Sequence, residues 1–427
     1  MPRDAAKLGN LKGRKLSAGS PSPRIVYLEH NDDKGSHRHR HRLLEKDPML
    51  SAPPGEEAVV QDRFKPDDDD NPDCVPIADW QTRSYPNCNQ FHEMDLPRGI
   101  DEFDNGNQKQ DNLSYLARGW FRSTWQWGHA GDEPIVLKML RLEREFYDEY
   151  FELHRKDAVA MERLSSSHFV MDIYGFCGQS ALNELASFPN GLNSLEKFDR
   201  NLRKREGPEV NLLKLHVATS VAVGLAHVHE IDDRPSMVHY DMNPRNIAIV
   251  KGGKPKLNDF NIAEFLRYNP QTNQTCGFRS RLHEPWWRAP EEVVVNNTNL
   301  LTEKVDVYSL GNLLYHILTT RSPHGKMKRE RMEEVRPMVA RGDMPVLGEP
   351  YRSSVDPAVV ALRKAMHMCY ESDPLARSSA REVANVLMDT LLTLKDQQEQ
   401  KQQHHKRQQQ QQHGKPRHYD AVAMPHM

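Results

Sequence analysis

Apolar residues recur at three- and four-residue steps in three stretches of the chain, and that period predicts helices. The first runs from Glu143 to Ser165, with Phe146, Tyr150, Leu153, Met161 and Leu164 on one stripe. The second, Val210 to His229, and the third, Val305 to Leu318, are apolar enough to lie inside a helical core. Short apolar runs bounded by turn residues predict strands instead. Pro134 to Leu140 is one such run. Asn246 to Val250 and Pro255 to Leu257 form a pair around the turn signal Lys251-Gly252-Gly253-Lys254. Ser180 to Leu195 reads as another strand followed by a turn.

Both ends lack such a period. Residues 1–72 carry a His/Arg tract (Gly35 to Arg42) and an acidic run (Asp67 to Asp70), a text that cannot bury a core and is expected to be disordered. Residues 73–110 change character: Trp80, Tyr85 and Phe91 give apolar area for an arm that docks on a neighbouring domain. Asp396 to Gln412 is Gln-rich, and residues 395–427 are expected to form a disordered tail.

Composition narrows the function classes. Hydrophobic residues make up only 37% of 427, in keeping with unfolded ends. Lys plus Arg (58) nearly balances Asp plus Glu (60), so charge offers no argument for a nucleic-acid partner. No run has the apolar length of a membrane span, and the first thirty residues lack the apolar centre of a secretory signal, which together predict a cytoplasmic protein. The five cysteines, odd in number and irregular in spacing, predict unpaired thiols in a reducing compartment. A small Cys74–Cys88 loop in an oxidising lumen is the alternative.

The candidate chemistry lies around the predicted hairpin, which gathers Asp241, Asn246 and Asp259 at one end. Magnesium takes hard oxygen ligands of this kind, and a hydroxyl nucleophile needs a carboxylate to orient it, so the cluster suits phosphoryl transfer.

These strings resemble the eukaryotic protein kinases. His239-Tyr240-Asp241-Met242 with Asn246 is similar to the catalytic loop, and Asp259-Phe260-Asn261 to the metal loop. Ala289-Pro290-Glu291, the run Asp306 to Gly311, and Arg377 match structural anchors of that family, in the same order. The resemblance implies an α+β fold over residues 111–394: a β-rich N-lobe with one long helix (111–187) and a mainly α C-lobe (188–394). It implies ATP and Mg2+ as cofactors and a protein Ser/Thr hydroxyl as acceptor. Asp241 would orient the hydroxyl, Asn246 and Asp259 would hold the metal, and Lys138 would hold the α- and β-phosphates.

The remaining assignments also follow from the resemblance. Asp157, on the apolar stripe of the first helix, would pair with Lys138, with Glu162 as the competing acid. Asn183 stands at the gatekeeper position, and Glu184 and Leu185 would offer backbone groups to the adenine. Gly119 is the one glycine kept of the phosphate loop, where Ala117 and Arg122 replace the first and third; Arg118 or Arg122 would supply charge instead. Tyr240 replaces an arginine that grips a loop phosphate, Asn243 a lysine, and Asn261 a glycine. Thr272, Thr275 and Ser280 lie in the activation segment, but the loss of that arginine argues against switching by phosphorylation. Two other readings follow from these departures and from the cysteines: a pseudokinase scaffold, and a luminal kinase acting on glycans or secreted proteins.

Overall fold

The computed structural model describes residues 71–83, 88, 113–128, 133–141, 143–187, 193–202, 205–281, 284–294 and 300–413. The His/Arg tract, Tyr85 and Phe91 lie outside them.

The upper lobe is a five-stranded antiparallel sheet. Its strands are β2 (Leu113–Arg118), β3 (Arg122–Trp127), β4 (Ile135–Leu140), β5 (Ile173–Cys177) and β6 (Ser180–Glu184), in the order β2-β3-β4-β6-β5, while β1 (Val75–Pro76) belongs to the arm. Lys138 is in register with Thr124 on one side and Ala181 on the other, which places it mid-sheet. Beneath the sheet runs α1 (Asp148–Arg163). It starts later than the apolar stripe predicts, leaving Phe146 outside the helix and exposed. The reason is local: the Arg144 N–H bonds the Arg141 carbonyl in a turn, and the Arg141 guanidinium is drawn to the Trp120 carbonyl. Both hold this segment against the β2–β3 tip.

The lower lobe is helical, with α2 (Leu195–Leu202), α3 (Pro208–His229), α4 (Pro290–Val293), α5 (Lys304–Thr319), α6 (Met332–Ala340), α7 (Glu349–Arg352), α8 (Pro357–Cys369) and α9 (Ala380–His413). Its main core joins α3, α5, α8 and the first turns of α9 through fully buried side chains such as Leu215, Leu225, Leu310, Leu362 and Leu387. Among the described residues α3 alone has the length and apolarity of a membrane span, and it is packed at the centre of this lobe. The expected disordered tail is corrected in part, because α9 runs unbroken to His413. Gln, Glu and Lys are good helix formers, and a helix already nucleated by packing can extend through them without an apolar face.

The predicted hairpin is present as β8 (Ile247–Val250) and β9 (Lys254–Leu257), turning through Gly252 and Gly253 at φ 81° and 74°. Those angles are open to glycine at little steric cost. β7 (Met237–Val238) pairs with β10 (Glu264–Phe265), at the start of the activation segment. Farther along that segment, β11 (Arg267–Asn269) and β12 (Gln274–Cys276) form a ribbon, and β1 of the arm adds to its free edge.

The arm therefore docks, through Trp80 as expected. The Trp80 ring meets Phe265 edge-on at 4.9 Å, and its Nε1–H donates to Asp232. Gln81 donates from Nε2 to the carbonyls of Ser236 and Leu266, while Arg155 of α1 donates to the carbonyls of Gln81 and Arg83. The expectation of unpaired thiols is corrected. Cys74 is bonded to Cys276 and Cys88 to Cys177, and Cys369 is the free, buried thiol. The Cys74–Cys88 loop does not form either. Spacing along the chain carries no information on such pairs, because strand addition by the arm brings together cysteines 202 residues apart.

Candidate active site

The catalytic-loop string is held from below. Asp306, buried at the start of α5, accepts the backbone N–H of His239 at 2.7 Å on one oxygen and that of Tyr240 at 2.9 Å on the other, with His229 Nε2 3.1 Å away. Tyr240 sits at φ 61°, a left-handed conformation that costs a bulky residue energy unless its surroundings fix it. Those fixings turn the chain so that the side chain of Asp241 emerges into the cleft.

Asn246 donates from Nδ2 to the Asp241 carbonyl at 2.9 Å and to its Oδ2 at 2.7 Å, and among the described residues its amide oxygen accepts no hydrogen bond. Arg288 approaches the other oxygen of Asp241 at 3.6 Å and donates to the Tyr240 carbonyl at 2.6 Å. Asn243 turns back on its own loop, accepting from Arg245 N–H and donating to the Asp241 carbonyl. It brings no charge to the cleft.

Lys138 and Asp157 meet across the upper lobe, Nζ to Oδ2 at 3.5 Å, both buried. Glu162 lies exposed on the opposite side of α1. Burial pushes the Lys138 ammonium below its ordinary pKa, and Asp157 opposes the shift. Burial would raise the Asp157 carboxyl, but Arg122 and Lys138 outweigh it and hold the group well below the usual carboxylate range. Its other oxygen accepts the Phe260 N–H at 2.8 Å, tying α1 to the metal-loop string.

Asp259 stands at φ 67°, the region that the Asp259-Phe260-Asn261 turn requires. Burial raises its pKa and Arg122 counters that. The contact the sequence left open is Arg122. This residue, at the third glycine position, is buried and turned inward, its guanidinium bonded to Asp157 through Nη1 and to Asp259 Oδ1 through Nη2 at 2.7 Å. Arg118, the other candidate, instead pairs with Glu143 at 2.7 Å near the surface.

The phosphate-loop position is a tight tip. Gly119 N–H donates to the Arg122 carbonyl at 2.8 Å, so that amide is committed to the turn. Phe121 stacks on Tyr150 of α1 at 5.6 Å and meets His154 edge-on. At the hinge strand, Asn183 is buried with its Nδ2 near Met161 Sδ, and its Oδ1 finds no partner among the described residues. The Glu184 N–H is taken by the Asp172 carbonyl and its carboxylate by Lys256, while Leu185 follows in open chain, half-buried.

The site thus brings Asp241, Asn246 and Asp259 to one side of the cleft and Lys138 with Asp157 to the other. The oxygens of Asn246 and Asp259 that take no hydrogen bond among the described residues are a donor set that fits magnesium. Sequence reasoning missed Arg288, whose signal was its place beside Ala-Pro-Glu, and Glu264, which lies between Lys156 at 3.2 Å and Arg281 at 3.5 Å. Glu264 supplies a built-in negative charge between α1 and the activation segment.

Comparisons with known proteins place the chain by family. A family model described as "Protein kinase domain" matches residues 119–387. The chain is 27% identical to "Serine/threonine-protein kinases PknA" of Corynebacterium glutamicum, over 50% of this chain and 46% of that protein. It is 27% identical to "Probable serine/threonine-protein kinase PknB" of Lactococcus lactis, over 49% of this chain and 31% of that protein. "Proline-rich receptor-like protein kinase PERK15" of Arabidopsis thaliana is likewise 27% identical, over 64% of this chain and 48% of that protein. In each case the chain spans less than half the length of the relative.

Proposed function

The chain belongs to the protein kinase family, and from that membership we propose that it is an ATP- and magnesium-dependent phosphotransferase acting on serine or threonine hydroxyls of proteins. The observation that carries the reading is the pairing of Asp241 with Asn246, on a loop whose backbone is capped by buried Asp306. In this reading Asp241 orients the acceptor hydroxyl and takes up its proton. Lys138, set by Asp157, holds phosphate oxygens, and the oxygens of Asn246 and Asp259 hold magnesium, which when bound neutralises phosphate charge. Leu185 and its neighbours offer backbone groups to the adenine. Serine/threonine acceptors are supported by the names of two of these relatives.

The test is a thermal-shift titration of the full chain with ATP, with and without magnesium, repeated on Asp259→Ala, followed by phosphate transfer to a panel of Ser, Thr and Tyr peptides. A magnesium-dependent stabilisation that Asp259→Ala removes, with transfer to Ser or Thr, is the expected outcome. Absence of any nucleotide shift would favour a pseudokinase scaffold. A second reading concerns the compartment. Two disulfides that staple the arm to both lobes favour an oxidising lumen, where the acceptors are secreted proteins or their glycans. Free-thiol counting on the protein isolated without reductant checks it: one thiol supports the lumen, five the cytoplasm.

A further inference from the structure

Arg122 occupies an unusual position for a phosphate-loop residue. Its guanidinium is 6% exposed and bonds two acids at once, the buried Asp157 and the proposed metal carboxylate Asp259. Two features keep it inward. Phe121, the preceding residue, is packed on Tyr150, and its ring lies 5.0 Å from the guanidinium. Arg122 also opens strand β3 in register with Leu140, so its backbone cannot swing without breaking the sheet edge.

Counting charge, the cleft holds Arg122 and Lys138 against Asp157 and Asp259, so these four groups neutralise one another without any ion. A divalent cation approaching Asp259 meets a carboxylate whose charge is already shared with a guanidinium 2.7 Å from one oxygen. A guanidinium prefers a phosphate to a single carboxylate oxygen, because its planar fork takes two phosphate oxygens together.

We propose that Arg122 is a nucleotide-phosphate ligand that serves as the resident counter-ion of Asp259 when the cleft is empty, so that a divalent metal enters well only after a polyphosphate has drawn the guanidinium away. This rests on the nucleotide-binding reading above and adds to it an order: phosphate first, metal with it or after it. It also assigns the missing glycine a purpose, since a residue without a side chain could not bridge the two acids.

The experiment measures Mn2+ binding to the full chain in the absence of nucleotide, by the loss of the free-ion electron paramagnetic resonance signal. ADP binding without metal is measured in parallel by calorimetry. Both are run on the native protein and on Arg122→Gln; the double variant Arg122→Gln/Asp157→Asn replaces it if leaving Asp157 short of a partner prevents folding. The expected result is Mn2+ affinity at least tenfold higher in the variant, with ADP affinity at least tenfold lower. Mn2+ affinity within threefold of the native value would overturn the proposal and leave Arg122 a structural counter-ion. The two readings fail separately. A native protein that never binds ATP-magnesium, together with tighter Mn2+ binding in the variant, removes the kinase reading and the phosphate role, and so overturns the proposal. Magnesium-dependent ATP binding with unchanged Mn2+ affinity removes the proposal alone.

Discussion

Cys74 of the amino-terminal arm is bonded to Cys276 of the activation segment, which makes the arm, the ribbon β11–β12 and, through Arg155, helix α1 one mechanical unit. Loop phosphorylation commonly orders such a segment by adding charge that arginines can grip. Here a strand, a disulfide and Glu264 between Lys156 and Arg281 provide the order.

Reduction should therefore loosen the activation segment before anything else. Hydrogen exchange of residues 264–276 is expected to speed up severalfold on adding reductant, or in Cys276→Ser, while α3 and α5 keep their protection. Equal loss of protection in α3 would show that the disulfide supports the whole domain instead.

Lys138→Met separates binding from folding. Asp157 keeps the Arg122 guanidinium on one oxygen and the Phe260 N–H on the other, so no buried charge is stranded. The melting temperature of the ligand-free protein is expected to move by less than about 3 °C, with loss of the nucleotide-induced shift. A collapse of the fold would show that Lys138, and not Arg122, is the main partner of Asp157.

Removing Asp306 should do the reverse. Asp306→Ala strands two buried backbone N–H groups and His229, a change worth about 3–5 kcal/mol by the usual cost of unpaired buried polar groups. Urea unfolding is expected to show a loss of that size, with Asp306→Asn falling between the variant and the native protein. The bidentate pair of Arg377 with Glu291, at 2.7 and 3.1 Å, offers the same test in another part of the lobe.

What was legible in the sequence was whatever local period or a short string could carry. The three helices, the β8–β9 hairpin and the meeting of Asp241 with Asn246 depend on residues close in sequence, and the face of α1 that carries Asp157 follows from its turn of 3.6 residues. The partners of that face were harder. Arg122 reads as a lost glycine, and only the inward packing of Phe121 turns it toward Asp259. The disulfides and the strand added by the arm join residues about 90 to 200 positions apart, a distance over which no pattern reports. The helical Gln-rich tract was misread because composition identifies what cannot form a core, and an exposed helix needs none.

His154 gives the active-site region an acid limit. It lies on α1 with 1% of its surface exposed, under Phe121, and neither ring nitrogen has a partner among the described residues. Burial first, then the charges of Arg122 and Lys138, lower its pKa from 6.5 to about 3, with Asp157 opposing. The folded state therefore binds fewer protons than the unfolded chain between those values. Stability is complete above pH 6.5 and is lost as the pH falls toward 3. By pH 5 this one group should cost roughly 2 kcal/mol relative to pH 7.5, since each unit below the unfolded pKa is worth about 1.4 kcal/mol. His154→Met, which keeps an apolar side chain of similar reach, is expected to flatten that part of the stability curve while leaving the pH 7.5 value within about 1.5 kcal/mol. Chemical denaturation at the two pH values checks it. An equal acid loss in the variant would place the sensitivity outside this imidazole.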